Sequence, residues 1–407
     1  MNLLPVDVAR ARVLDHFHPL DTIKLPVRDA LGHVLAEDVF APHPLPRFDN
    51  SAMDGYALRA VDTDGASSVS PVTLAAVGVI PAGQPGDVRL TAGSAIRIMT
   101  GAPLPPGADA VVPIEEVEER DGGVAIRSRL SPGTFVRKHG EDVAEGDLLV
   151  ARGTEVGAGE AALLAAAGVS PVQVHRRPRV AILVTGDELV PPEASPAPGQ
   201  IRDSNSVALA ALVEEAGGEV TRLGRVRDTL ESHRSEFERA AAVADVVVSS
   251  GGVAVGDHDL VKAVLEELGS IDLWRVAMQP GKPVVLGRIG TTPVLGLPGN
   301  PVSVHVGFEQ FVRPAIRKLR GCGELLRPTI EATVTEPLEK PPGRLHFVRV
   351  RLAASRDGWR ATPTGPQGSH IQSSLVGCHG VARFAPELTQ LPAGARVTVE
   401  VWRLPPA

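Results

Sequence analysis

From Pro178 to about Arg320 the chain alternates apolar, strand-like runs with helical patterns, and few architectures accommodate that order. RVAILVTGDEL reads as a buried strand running into a polar loop. SNSVALAALVEEAGG predicts a helix opened by a Ser/Asn cap and closed by glycines. EVTRLGRV predicts a strand, TLESHRSEFERAAAVA a helix, DVVVSSGGVAVGDHD a strand ending in a glycine-rich loop, and LVKAVLEELG a helix. VLGLPGNPVSVHVGFEQFVRPAIRKL then reads as a strand, a tight turn and a long helix. The expected fold is α/β: a mainly parallel sheet with helices on both faces. Ligands of such a sheet bind beyond the carboxyl ends of its strands.

Three polar loops follow predicted strands and supply candidate phosphate-binding residues. The first carries Thr185, Gly186 and Glu188, the second Ser250, Gly251, Gly252 and Gly256, and the third Pro298, Gly299, Asn300 and Ser303. Glycine admits close backbone approach, and amides at a helix start attract anions. Any one loop reads equally well as a tight turn; three on consecutive strand ends favour a phosphate-bearing ligand. Neither the Gly-Lys-Ser/Thr phosphate loop nor the dinucleotide glycine pattern occurs. Lys282, in the Pro-flanked turn of MQPGKPVVLG, is either an oxyanion ligand or a solvated turn lysine. Loop carboxylates are Asp54, Asp142, Glu188, Asp228, Asp257 and Asp259, a set suited to Mg²⁺-assisted phosphate chemistry. Each alone also suits a turn or cap, Asp228 in particular as the cap of a helix over 229–243. In GRLHFVRVRL, Arg344 lies close to Arg349 and Arg351, which share one strand face, a basic edge or a solvated one. The loop GPQGSHIQSSL can donate hydrogen bonds to an oxyanion.

Outside this region the texture changes. Residues 6–17 predict an amphipathic helix, and a second short helix is expected near Val27–Leu35. Residues 46–143 are β-rich, and helical texture returns at GAGEAALLAAAGV, so the β-rich part is an insertion. The tail is a small barrel-like or sandwich-like β domain. The expected domains are 1–45 with 144–177, helical and elongated; 46–143; 178–326; and 327–407. Within PRFDNSAMDGYALR, Ala52, Met53 and Tyr56 are expected to anchor the loop while Asp49, Asn50 and Asp54 face a cleft. The 407 residues carry 41 basic and 48 acidic side chains, a net charge of −7 that argues against broad nucleic-acid binding. Two cysteines, Cys322 and Cys378, are too few for a disulfide framework or a cysteine zinc site, and the twelve histidines form no metal motif. With no long apolar run at the start, neither a signal peptide nor a membrane span is expected, and the simplest setting is the cytoplasm.

Taken together, PRFDNSAMDGYALR, RIMTGAPLPPGADAVV, TGDEL, IRDSN, SSGGVAVGDHD, QPGKP and LPGNPVS resemble, in this order, the molybdopterin molybdenumtransferases, the family of bacterial MoeA and the gephyrin E-domain. The resemblance implies a homodimer whose cleft lies between the third and fourth domains of one subunit and the second domain of the other. It implies Mg²⁺-dependent insertion of molybdate into adenylylated molybdopterin with release of AMP, and a molybdopterin adenylyltransferase as functional partner. It assigns Asp259 as the main catalytic or metal-linked carboxylate, with Glu188 as a second Mg²⁺ candidate and Asp228 as another acidic residue of that domain. Asp54 and Asp142 are expected to reach into the partner's cleft. Lys282, Arg344 and Ser369 are the implied molybdate ligands, with Arg349 and Ser373 as local alternatives. The dithiolene of the substrate would itself ligate the metal. The sequence departs from the pattern at Gln279, where several family members carry a second lysine, and at Ala254 and Asp257, which stand for Ser and Glu. Losing the lysine weakens oxyanion attraction by about 1 kcal/mol near a surface. It leaves open a tungstate-selective or slow pterin-binding paralogue. A scaffold protein and an enzyme that adenylylates the pterin are two further readings of the same chain.

Overall fold

A computed structural model describes residues 3–252 and 260–405. At its centre is a six-stranded sheet in the order Glu219–Val226, Arg179–Thr185, Val246–Ser250, Thr292–Leu297, Pro283–Ile289, Gly269–Arg275. The first four strands are parallel, and the last two are added antiparallel, giving a mixed sheet. Alternate side chains of the buried strand Arg179–Thr185 feed two cores, as a period of two requires. Val180 and Ile182 pack with the helix Asn205–Glu215 and the long helical segment 301–319; Ala181 and Leu183 pack with the helices Leu230–Ala241 and Leu260–Leu268. Helices therefore cover both faces. The segment 301–319 carries a π-helical turn at Phe308–Val312, all of it buried.

The N-terminal region departs from the helical expectation. The helix Val6–Leu14 buries Val6, Ala9 and Val13, with Phe17, against Phe308, Phe311 and Ile316 of the α/β layer, not against the segment 144–177. A chain with apolar residues on one helix face needs an apolar surface, and the sequence does not say which. No helix forms over 27–35: Val27–Asp29 is a single 3₁₀ turn after Pro26, and Val34–Leu35 is a strand. The remaining part consists of a three-stranded sheet (Thr22–Leu25, Val172–His175, Val34–Leu35), a strand pair (Val39–Phe40 with Leu148–Val150) and the helix Ala158–Ala166, packed around Leu35, Val150, Leu164 and Val174.

Between these strands sits the inserted six-stranded sheet, ordered Ala110–Pro113, Gly55–Leu58, Ser94–Ile98, Val72–Ile80, Gly123–Ile126, Val117–Arg120. Its two faces carry separate clusters around Leu58 and Val112 and around Ile96 and Ile98. In the tail, Leu345–Ser355, Gly358–Pro363, Thr329–Val334, Arg396–Val401 and Gly380–Phe384 pair in turn, and Gly380–Phe384 pairs back onto Leu345–Ser355, closing a five-stranded barrel. Met278–Gln279 adds to the barrel's edge, parallel to Leu345–His346. That pairing fixes the seam between the α/β domain and the barrel. Among the described residues no helix is long and apolar enough to cross a membrane.

Candidate functional site

A cleft of about 890 Å³ opens beyond the carboxyl ends of the parallel strands. Thr185, Gly186 and Glu188 line it from the first loop, Ser250, Gly251 and Gly252 from the second, and Pro298, Gly299 and Asn300 from the third. The expected meeting of the three loops therefore occurs. Gly256 and Asp259 lie outside the described residues. Ser303 does not line the cleft: it is buried in the helix Pro301–Gly307, and its carbonyl faces Gly281 across 3.6 Å of what would be a Cβ contact.

Local chemistry holds the loops in place. Asn205 donates to Ser250 Oγ (2.9 Å) and to the carbonyl of Gly299 (2.8 Å), tying the second loop to the third. The helix Asn205–Glu215 is capped by neither Ser204 nor Asn205; Asp203, which is buried, accepts from the amide of Ser206 (3.0 Å). Asp228 likewise caps nothing. Thr229 accepts from Ser232 N and opens the helix Leu230–Ala241. Asp228 instead exchanges hydrogen bonds with Asp187 across the cleft mouth: Asp187 N donates to Asp228 Oδ2 and Asp228 N to Asp187 Oδ1, both 3.2 Å. Glu188 folds back beneath Gly186, within 2.7 Å of where a Cβ there would stand. Three carboxylates, Glu188, Asp203 and Asp228, thus line one cleft. Among the described residues no group of three or more His, Cys, Asp or Glu is placed to hold a metal ion. A Mg²⁺ here would rest on one or two protein carboxylates plus phosphate oxygens, the usual pattern for that ion, and the donor set fits it.

The oxyanion candidates Lys282, Arg344 and Ser369 do not line the cleft itself, and Ser369 is bonded to its third loop. Ser369 accepts from Asn300 Nδ2 (3.0 Å), and its carbonyl accepts from Val302 N (3.1 Å), so the loop 365–375 of the barrel is docked on the third cleft loop. Its neighbour His370 lines the cleft. Lys282 follows Gly281, which abuts Ser303 and Met278. Arg349 is not on a solvated face: it is fully buried, whereas Arg351, two residues on, is exposed beyond the barrel. The Arg349 guanidinium donates to Ser374 Oγ (3.1 Å) and to the carbonyls of Pro366 and Gly368 (3.3 Å each), and its Nη1 has no partner. Burial without a carboxylate lowers its pKa to about 10. Of the two arginines considered, Arg349 is the one bonded into the Ser369 loop. Gln279 stands in register with His346, whose pKa falls to about 4 through burial, helped by Arg349, Lys340 and Arg344.

Asp54 and Asp142 lie in and beside the inserted sheet and do not line the cleft of their own chain. Asp54 Oδ1 accepts from the amide (2.6 Å) and hydroxyl (2.7 Å) of Thr100, and these bonds hold its pKa below the usual carboxylate range. Asp142 is exposed, its amide bonded to the carbonyl of Leu45. Around them the anchoring differs from expectation. Tyr56 is buried and donates to Glu119, but Met53 is 37% exposed and Asn50 is 5% exposed, bonded to the carbonyl of Phe48. Asp49 is held by Lys138 Nζ (2.9 Å) and His139 N (2.8 Å). Sequence reasoning assigned no site role to Asp187, Asp203, Asn205, His233 and His370. Asp203 and Asn205 belong to the IRDSN motif, and His370 to the Gly/Ser loop GPQGSHIQSSL; nothing in the sequence singles out His233.

Comparisons with known proteins agree with this geometry. Family models match residues 4–168 (MoeA N-terminal region, domains I and II), 181–318 (probable molybdopterin binding domain) and 331–402 (MoeA C-terminal region, domain IV). The chain is 40% identical over 391 residues to molybdopterin molybdenumtransferase 2 of Mycobacterium tuberculosis strain H37Rv, covering 94% of this chain and 95% of that protein. It is 38% identical over 402 residues to the molybdopterin molybdenumtransferase of Haemophilus influenzae, covering 98% of each. A crystal structure of a MoeA protein from Pyrococcus horikoshii superposes with a TM-score of 0.83 at 36% identity, covering 99% of this chain and all of that one. With its α/β cleft, inserted sheet and closing barrel matched end to end by such relatives, the chain belongs to the molybdopterin molybdenumtransferase (MoeA) family.

Proposed function

We propose that this protein inserts molybdate into adenylylated molybdopterin, releasing AMP and completing the molybdenum cofactor. The observation that carries the reading is the cleft itself: three glycine-bearing loops, three carboxylates and a docked barrel loop around one space of about 890 Å³. Exposed loop amides suit the substrate's phosphates. Glu188 and Asp228, which both line the cleft, orient the water that attacks the phosphoanhydride and take up its proton in this reading. Mg²⁺, held by Asp259 and Glu188, would supply charge neutralisation on the phosphates. Molybdate, a tetrahedral dianion, is the substrate of the seam, where Lys282, Ser369 and Arg349 offer charged and hydroxyl donors; Arg344 and Ser373 stand in reserve for the same role. The working unit is a homodimer, with Asp54 and Asp142 entering the partner's cleft. The absence of Asp54 and Asp142 from the lining of their own chain's cleft supports that reading.

Purified protein mixed with adenylylated molybdopterin, Mg²⁺ and either molybdate or tungstate should release AMP and retain the metal. No AMP with either oxyanion sinks the enzyme reading, and a tungstate-only response reassigns the metal. Asp54→Ala and Asp228→Ala subunits, each inactive alone, should recover partial activity when mixed; a heterodimer that stays dead rules out the shared cleft.

A further inference from the structure

One buried polar atom at the cleft has no partner among the described residues and no place in the chemistry above. His233 sits in the first turns of the helix Leu230–Ala241, is fully buried, and contributes to the cleft lining. Its ring is fixed on both sides. Nδ1 lies 3.0 Å from the carbonyl of Thr229, and the ring stacks on Phe237 at 6.2 Å between centroids and 12° between planes. A carbonyl only accepts, so Nδ1 carries the proton, and in the neutral ring Nε2 is left with its lone pair. Among the described residues Nε2 has no hydrogen-bond partner. Gly252 is the neighbouring backbone on this side: a Cβ on Gly252 would stand 3.8 Å from Nε2 and 2.8 Å from Val261 Cγ2, so a side chain there would crowd the ring.

A buried acceptor without a donor is costly in the free protein, and a ligand that supplies the donor removes that cost. We propose that His233 is a specificity-determining residue of the cleft, its Nε2 accepting a hydrogen bond from an N–H or O–H group of the bound substrate. Two parts of an adenylylated pterin carry such donors, the pterin ring with its amine and the adenosine of the adenylate with its ribose hydroxyls and adenine amine. The lone pair repels phosphate oxygens, so His233 reads a neutral donor while the glycine loops hold the anion. This rests on the reading of the cleft as the substrate site.

Calorimetric titration of the full-length protein with molybdopterin and, separately, with AMP tests the idea. His233→Leu keeps the bulk and removes the acceptor; it should bind one of the two ligands roughly 3- to 10-fold more weakly, with the unfolding midpoint unchanged. His233→Gln, which returns an oxygen acceptor, should recover most of the loss. The ligand that loses affinity identifies the donor as pterin or adenosine. In the native protein, the ¹⁵N resonance of Nε2 should move upfield on binding, a readout that survives even if the Leu variant fails to fold. Native affinity of His233→Leu for both ligands, or an Nε2 that is unmoved or protonated in the complex, overturns the proposal while leaving the function intact. A native protein that binds neither ligand removes the substrate-site reading and this inference with it.

Discussion

Gly251 is where the fold and the proposed site depend on the same atom. Its φ is +87°, and a Cβ there would lie 2.6 Å from Thr185 Oγ1 and 2.9 Å from the Thr185 carbonyl oxygen. Left-handed backbone costs an L-residue about 1–2 kcal/mol. The contact adds an overpacking cost of about 1–3 kcal/mol, because a backbone carbonyl yields only if the ends of the strands Arg179–Thr185 and Val246–Ser250 move apart. Gly251→Ala should therefore lose about 2–5 kcal/mol. Gly290 supplies the control. It turns the chain between Pro283–Ile289 and Thr292–Leu297 of the same sheet, has a φ of +56°, and has nothing within 4 Å of its would-be Cβ. Gly290→Ala should lose only the backbone part, about 1–2 kcal/mol. Urea unfolding followed by circular dichroism measures both. Titration with adenylylated molybdopterin then asks whether the cleft has shifted: Gly251→Ala should bind about 10- to 100-fold more weakly, and Gly290→Ala as the native protein does. Equal stability losses would refute the steric reasoning, and native binding by Gly251→Ala would detach the Gly251 backbone from the site.

Other expectations follow from single interactions. Asp245, at the entry to the central strand, is desolvated, which alone would raise its pKa, but hydrogen bonds from Arg176 (2.7 Å to each oxygen) and Arg179 outweigh that and bring it to about 2. A depressed carboxylate stabilises fully above its unfolded value near 3.8 and loses that contribution as pH falls through 2. The stability gap between native protein and Asp245→Asn should thus shrink by about 2 kcal/mol between pH 5 and pH 2, and a gap that stays constant would mean Asp245 is not so coupled. Arg349→Met should change unfolding free energy by only about 2 kcal/mol, since relief of a buried charge offsets the lost hydrogen bonds, yet abolish any molybdate-induced rise in Tm; Arg344→Met should retain that rise, and the reverse result restores Arg344 as the oxyanion ligand. Asp228→Asn should lower kcat for AMP release on the order of 100-fold with little change in stability, because the amide oxygen still accepts from Asp187 N; full activity would remove Asp228 from the chemistry.

Much of the α/β domain was legible because its signals are local. The run RVAILVT is apolar along nearly its whole length, as a strand covered on both faces must be, and the glycine loops that follow such strands fall at one end of the sheet by the geometry of parallel connections. The same reasoning brings Thr185, Ser250 and Asn300 near one another from the order of the elements alone, and the cleft lining bears it out. Capping was legible in kind but not in assignment: several neighbouring residues could bond a free helix amide, and Asp203 and Thr229 took the role expected of Ser204 or Asn205 and of Asp228.

What the sequence determined by itself was periodicity, turn chemistry and the identity of the groups available. Tertiary structure alone decided which surfaces those groups meet. The helix Val6–Leu14 carries an apolar face that fits any apolar partner, and only packing assigns it to the α/β layer. Arg349 and Arg351 share a strand face in the sequence, but the docked loop 365–375 covers one and not the other. His233 has the sequence context of a surface helix residue, and becomes a buried acceptor at the cleft only because Phe237 and the loop at Gly252 close around it. Burial is a property of contacts between segments far apart in the chain, and no local pattern encodes it.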